Sequence, residues 1–451
     1  MHPVSRRSFL LASVAAAAAS SALAATAKPN VLFVIADDLN TDVGAWGLPV
    51  RTPHLDRLAA RGVRFERAYC QYPLCNPSRS SFLSGLRPDS TRVFDQKTVL
   101  RVAQPKIEML PDFFRRNGYF VAGAGKVFHH GKPNAVGFDS WKPAETESQE
   151  EVAASKSRYG HAEGDRTPDW ARINGDEEQT ADAIAARDVI GWMEQSAASG
   201  KPFFLVAGLR KPHLPWAVPK KYFDMYPSVD VPEDPPFTGI PKAALETELG
   251  ASKPPQPRWE AIAAYRAATS YMDAQLGKIL ARLDALKLRE STIVVLIGDN
   301  GFHLGEHRLW SKNTLFERAT RVPMVIAAPG VAVIGKTCGR TTELLDVYPT
   351  LAALTGLTPP AHLQGVNLTP LLRDPAAKWD RPARSVVQRS EAIFGRAIRT
   401  QRWRYVEWND GREGVELYDH TTDPGEYKNL ATDPKQAKNI QALKAQLKAP
   451  A

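Results

Sequence analysis

Asn30-Val31-Leu32-Phe33-Val34-Ile35-Ala36 is an unbroken apolar run of strand length that stops on two carboxylates, Asp37 and Asp38. A strand with one wet face alternates apolar and polar residues, whereas a run apolar at every position suits a central parallel strand covered on both sides. The carboxyl end of such a strand is where open α/β sheets keep their sites. Outward from this stretch the pattern repeats. Thr52-Pro53 opens a helix that Gly62 closes, helices are expected over 77–85 and 107–117, and the latter leads into a strand over 119–123. Further apolar runs at 203–208, 292–297 and 322–327 alternate with helical stretches, notably an amphipathic segment over 259–288. The alternation predicts an α/β fold, a large mainly parallel sheet flanked by helices. Two long Pro- and charge-rich stretches, 131–175 and 212–257, interrupt it and are expected to wall a pocket.

From about residue 376 the pattern changes to short alternating strands at 397–400, 403–408 and 414–418, then a polar helix over 434–448. This predicts a small antiparallel sheet plus one helix packed on the main domain. Ser5-Arg6-Arg7-Ser8-Phe9-Leu10 and the Ala-rich run ending in Ala25-Thr26-Ala27 read as an export signal of twin-arginine type. The run from Phe9 to Ala25 is short and broken by Ser13, Ser20 and Ser21, so it does not read as a membrane anchor. The expected organisation is therefore a signal over 1–27, a catalytic domain over 28–375 and an α+β subdomain over 376–451. The mature protein is expected in the periplasm or outside the cell. It would be passed there by the export machinery and keep no stable membrane insertion after cleavage.

The 451 residues are 43% hydrophobic and 24% charged, which excludes a disordered or membrane-embedded chain. Three cysteines, Cys70, Cys75 and Cys338, form neither a disulfide framework nor a zinc spacing. The formal net charge of +9 suits anionic substrates, but the basic residues are scattered and no nucleic-acid module appears.

Four apolar runs are followed by groups that can do chemistry: Asp37 and Asp38, then Lys126 and His129, then His213, then Asp299 and Asn300. In a parallel sheet these ends share one edge, so residues distant in sequence converge. Asp37, Asp38, Asp299 and Asn300 are hard oxygen donors that suit Ca²⁺ or Mg²⁺ rather than zinc, and three facing carboxylates are expected to repel unless a cation sits among them. In Cys75-Asn76-Pro77-Ser78-Arg79 a cysteine precedes a helix, with Asn76 as the expected N-cap and Pro77 first in the helix. The helix dipole there favours either a low-pKa thiol or a bound anion, while an inert core cysteine is the plain alternative. Lys126 and Lys312 supply cations for a tetrahedral anion, and His129 and His213 supply proton carriers. Spacing leaves open which of His129 and His130 faces inward.

The stretch from Cys75 to Gly85 resembles the Cys-X-Pro-Ser-Arg signature of type I sulfatases. Gly125-Lys126-Val127-Phe128-His129, Lys211-Pro212-His213, Gly298-Asp299-Asn300-Gly301 with Leu304-Gly305-Glu306-His307, and Trp310-Ser311-Lys312 are similar to further family elements, and Leu417-Tyr418-Asp419 to its carboxyl-terminal one. Within the family, Lys211-Pro212-His213-Leu214-Pro215 and Arg87-Pro88-Asp89-Ser90-Thr91-Arg92 look most like the iduronate-2-sulfatase branch, although Asp299-Asn300 stands where lysosomal members of that branch carry Asp-His.

The resemblance implies an alkaline-phosphatase-like fold and hydrolysis of sulfate esters of sulfated sugars. It implies that a separate maturation enzyme oxidises Cys75 to formylglycine, whose hydrate attacks sulfur with one hydroxyl and expels sulfate with the other. Asp37, Asp38, Asp299 and Asn300, with the residue made from Cys75, would hold Ca²⁺. Arg79 and Lys126 would steady the hydrate, Lys126, His213 and Lys312 would bind substrate, His129 would take the second hydroxyl's proton and His213 would serve the leaving oxygen. Cys70 and Cys338 are then left as the two cysteines that could pair. Rival readings on the same residues are a phosphomonoesterase or phosphonate hydrolase, and a non-catalytic sulfated-glycan binder.

Overall fold

Alternate side chains of the opening strand belong to different cores. In the computed structural model, which describes residues 28–129, 134–143, 170–231, 235–246 and 257–449, Val31, Phe33 and Ile35 join one buried cluster, and Leu32, Val34 and Ala36 another. A strand coated on both faces has no reason to alternate, which is why its sequence reads as one apolar run. The expected signal, His130 and much of the two inserted stretches lie outside the described residues.

The strands are β1 (Asn30–Ala36), β2 (Val63–Tyr69), β3 (Phe120–Gly125), β4 (Ser140–Lys142), β5 (Trp170–Ile173), β6 (Phe203–Leu209), β7 (Trp216–Pro219), β8 (Thr292–Gly298), β9 (His303–Leu304), β10 (Trp310–Ser311), β11 (Arg321–Ala327), β12 (Lys336–Glu343), β13 (Ala383–Gln388), β14 (Phe394–Arg399), β15 (Trp403–Trp408) and β16 (Gly414–Asp419). Among the described residues the helices of seven or more residues are α1 (Pro53–Ala59), α2 (Cys75–Ser84), α3 (Leu110–Arg116), α4 (Ala181–Ser199), α5 (Arg258–Ala285), α6 (Val347–Leu354) and α7 (Ala437–Lys448). Eight strands form one sheet in the order β12-β2-β11-β8-β1-β6-β3-β4. Helices α2, α3 and α6 cover one face and α1, α4 and α5 the other.

The sheet is mixed rather than uniformly parallel, because β11 runs antiparallel to both β2 and β8. A parallel return needs a crossover, usually through a helix. The chain leaving β8 instead turns at the sheet edge through the β9–β10 hairpin and enters β11 from that same edge.

Strands β13 to β16 form an antiparallel meander. One face, through Ile398, Tyr405 and Leu417, packs on Leu443 of α7. The other, through Val387, Val406, Trp408 and Tyr418, packs on Tyr72, Leu74, Leu315 and Phe316. We propose that 376–451 is a subdomain that folds onto 28–375 rather than apart from it. Ser385 Oγ donates to Cys70 O, Val386 N to Gln71 O (2.9 Å) and Gln388 N to Tyr72 Oη (3.0 Å), so this sheet braces the segment that leads to Cys75.

A buried ion network completes the join. Arg404 Nε bonds Glu426 Oε1, its Nη2 bonds Glu317 Oε2 at 2.6 Å and its Nη1 bonds Leu315 O at 2.8 Å, while Arg399 adds a second cation on Glu317 at 3.1 Å. Burial works to raise the Glu317 carboxyl, but Arg399, His420 and Arg404 hold it well below its usual range. Both carboxylates near His420 are thus paired with arginine, so this cluster acts as a structural tie. Arg404→Ala strands two buried carboxylates and is expected to cost about 3–5 kcal/mol in urea unfolding. A loss below about 1 kcal/mol would mean that Arg399 and His420 suffice to hold the subdomain.

Candidate active site

The ends of β1, β3, β6 and β8 deliver the expected groups to one place. Asp37 N donates to Leu209 O (3.0 Å) and Asp299 N to Ala36 O (3.1 Å), so the ladders that fix the strands also fix both aspartates. Asp38 then turns through the left-handed region, with φ of 61°, a conformation aspartate tolerates better than most residues.

Helix α2 carries the cysteine. Cys75 is itself the first helical residue and Leu74, in extended conformation, is the N-cap. The expectation of an Asn76 cap with Pro77 first is corrected: the Asn76 amide instead donates to Asp95 O and Thr98 O, both at 2.8 Å, tethering the following loop. All ten residues of α2 are buried, so the helix is a rigid mount. Gly85 ends it at φ of 71°, a left-handed C-cap that favours glycine.

Around Cys75 Sγ stand Lys312 Nζ at 2.9 Å, Asp37 Oδ1 at 3.1 Å, Lys126 Nζ at 3.7 Å and Asp38 Oδ1 at 3.8 Å. Arg79, one turn along α2, bonds Asp299 Oδ2 (2.8 Å), pairs with Asp37 (3.2 Å) and donates to the carbonyls of Lys126 and Val127. Lys126 also pairs with Asp37, and Lys312 with Asp38. Ser78 Oγ donates to Asp299 O, pinning α2 to the end of β8. Three carboxylates therefore interleave with three side-chain cations, as the expected repulsion between facing carboxylates requires.

These contacts set the ionisation states. Burial works to raise the Asp37 carboxyl, yet Lys126, His213, Arg79 and Lys312 hold it well below the usual range. For Asp299 burial wins over Arg79, with Asp37 and Asp38 adding to it, and its carboxyl is raised. Burial and Asp37 push the Cys75 thiol well up against the pull of Lys126 and Lys312. This direction opposes the low-pKa reading of the thiol, since burial beside Asp37 outweighs the two ammonium groups.

His213 keeps 24% of its side chain exposed, with Nε2 3.9 Å from Asp38 Oδ2. Its Nδ1 lies 2.6 Å from Leu214 O, and a carbonyl only accepts, so Nδ1 carries the proton and Nε2 the lone pair when the ring is neutral. Burial, then Lys126, depresses the imidazole well below its usual pKa, so the resting ring is neutral. Asp182 holds this loop by accepting from Arg210 N (2.6 Å) and Lys211 N (2.9 Å). His129 is half-buried two residues beyond Val127, whose carbonyl Arg79 engages. Cys70, Cys75 and Cys338 are free thiols. Cys338 pairs with Phe65 on β2, five residues from Cys70, about 16 Å along a strand and beyond disulfide reach.

The oxygen donors fit a hard divalent cation. One oxygen each of Asp37, Asp38 and Asp299 fall within 4.8 Å of one another. Asn300 Nδ2 donates to Asp38 Oδ1 (2.7 Å), leaving its buried Oδ1 with no partner beside them. An orphaned buried acceptor among carboxylates matches an oxygen-ligated cation.

Residues 29–357 match the family model described as Sulfatase, and residues 305–450 the one described as N-sulphoglucosamine sulphohydrolase, C-terminal. The chain is 33% identical to a sulfatase of Formosa agariphila, covering 93% of this chain and 86% of the relative. It is 32% identical to the iduronate 2-sulfatase of Mus musculus, covering 78% and 73%. Its fold superposes on a phosphonate monoester hydrolase of Agrobacterium radiobacter with a TM-score of 0.76 at 24% identity, over 93% and 96% of the two chains.

Tyr265, two turns into α5, is not legible as a site residue in the sequence because its position fits the buried apolar stripe of the helix. Its hydroxyl donates to Asp38 O (2.8 Å), accepts from Asn40 N (2.9 Å) and so clamps the left-handed turn. Tyr265→Phe keeps the ring against Trp216 and Phe302 but removes both bonds. Calorimetric titration is expected to show divalent-cation affinity weakened about tenfold; unchanged affinity would mean that the strand ladders alone set Asp38.

Proposed function

The chain belongs to the sulfatase family and is a sulfuric ester hydrolase, and from that premise we propose that it desulfates a sulfated uronic acid of a polysaccharide, using a formylglycine made from Cys75 and a calcium ion. The observation that carries the reading is the convergence on Cys75 Sγ of Asp37, Asp38, Lys126 and Lys312, with His213 beside them. The similarity to iduronate 2-sulfatase and the net charge of +9 support the sugar class. The paired arginines near the amino terminus support export, so the partners would be the export machinery and a formylglycine-generating enzyme.

Asp37, Asp38, Asp299 and Asn300 would hold the calcium, which when bound supplies Lewis-acid polarisation of a sulfate oxygen. Formylglycine supplies, as its hydrate, one hydroxyl to attack sulfur and a second to expel sulfate. Lys312 Nζ, nearest to the Cys75 side chain, holds the sulfate oxygens, and Lys126 Nζ shares the charge. Arg79 is spent on Asp299, Asp37 and two carbonyls, so it fixes the mount. An anionic substrate offsets the lysines that depress His213, letting Nε2 take up a proton and pass it to the leaving oxygen. His129 takes the proton of the second hydroxyl.

Protein from the native host is expected to show an aldehyde in the Cys75 peptide by mass spectrometry and to release sulfate from an aryl sulfate. Cys75→Ala should abolish that release. An active preparation with an unmodified thiol, or faster turnover of aryl phosphate or phosphonate than of aryl sulfate, would sink the proposal. Lys312→Ala is expected to lower kcat/KM on aryl sulfate by about 10²–10³-fold, and a value within threefold of wild type would remove Lys312 from the sulfate site.

A further inference from the structure

The far edge of the main sheet carries a second concentration of positive charge. β12 is its outermost strand, and a cleft of about 680 Å³ beside it is lined by Arg67, Lys336, Arg340 and Arg373, with Asp374 the acidic member of the lining. Among the described residues none of the four cations pairs with a carboxylate, and the nearby Glu66 is committed to Arg64 and Arg321. Arg67 Nη1 donates to Gly339 O and Arg340 Nη2 to Ala376 O, which orients both guanidinium groups without neutralising them. Asp374 Oδ1 accepts Ala376 N at 2.9 Å and is partly spent on its own loop.

Four like charges held together without a carboxylate partner are complementary to a run of anions. Lys336 and Arg340 are four residues apart on β12, roughly 10–13 Å given the register shift between Cys338 and Thr341, and Arg373 lines the same cleft. That span exceeds one sulfate and suits several successive ones. Lys336 lies beside Val63, at the end of β2 remote from the site edge, and β12 is four strands from β1. The Lys336 end of the cleft is therefore about 25 Å from Cys75 and its Arg67 end about 15 Å, so the cleft cannot share the Cys75 sulfate.

We propose that this cleft binds a second stretch of a sulfated polysaccharide, anchoring the polymer whose sulfates the Cys75 site removes. The choice of polysaccharide over other polyanions rests on the sulfated-glycan reading of the active site.

The test is dextran sulfate binding by calorimetry at about 0.1 M salt, beside turnover of an aryl sulfate. Lys336→Glu/Arg340→Glu/Arg373→Glu is expected to weaken dextran sulfate binding tenfold or more, and Lys336→Ala/Arg373→Ala, which alters exposed side chains alone, about threefold. Aryl sulfate kcat/KM should stay within twofold of wild type in both, which also reports that they fold. Unchanged dextran sulfate affinity in the variants would overturn the proposal, as would duplex DNA bound as tightly as dextran sulfate and lost in the same variants. Binding is read without turnover, so a wild type that binds through these residues yet leaves aryl sulfate intact would sink the active-site reading and not the cleft.

Discussion

Three carboxylates and three side-chain cations share one buried volume at the edge of the sheet, each charge set against a neighbour of opposite sign. Asp37, Asp38 and Asp299 alternate with Arg79, Lys126 and Lys312 around Cys75. Moving each charge out of water costs several kcal/mol, which mutual attraction offsets only where the geometry is held closely. The holding comes from elements far stiffer than loops. Strand ladders place the aspartates, and a helix with no exposed residue places Cys75 and Arg79. The carboxyl-terminal sheet braces the approach to α2 and, through Arg389 Nη1 on Asn313 O, the neighbour of Lys312. Arg79 is the centre of this constraint because its guanidinium joins β1, β8 and the turn after β3 in one plane of contacts.

What the sequence makes legible follows from how completely each segment is buried. β1, β6 and β8 stand out as apolar runs because both faces are covered, and the Cys75 stretch stands out because its residue types are unusual together. β2, Val-Arg-Phe-Glu-Arg-Ala-Tyr, and β12, Lys-Thr-Cys-Gly-Arg-Thr-Thr-Glu, gave no strand signal. They lie at one side of the sheet, where partly exposed positions take charged residues and the apolar pattern thins. The direction of β11 was hidden too, since composition does not distinguish a strand entered by a crossover from one entered by a hairpin turn. Tyr265 through its hydroxyl and Asp182 through both carboxylate oxygens hold backbone groups as far as 227 and 29 residues away, a relation that exists only after folding.

The formal charges of the site also say which ligands it favours. Three aspartates against Arg79, Lys126 and Lys312 sum to zero, and a divalent cation on the oxygen donors would leave a surplus of two positive charges. Such a surplus favours an anion but does not by itself separate sulfate from phosphate, because a phosphate monoester near neutral pH carries more charge than a sulfate ester. Discrimination must then come from groups that respond to how much charge arrives. His213 is one: burial, then Lys126, keeps its ring neutral, and an arriving anion opposes the lysine in proportion to its own charge. The nucleophile bears on both esters alike. A thiol pushed upward by burial beside Asp37 is a poor attacking group for any of these esters, and a carbonyl hydrate at the same position removes the need for a thiolate altogether. The burial that raises the Cys75 thiol thus supports the proposed conversion of Cys75 to formylglycine.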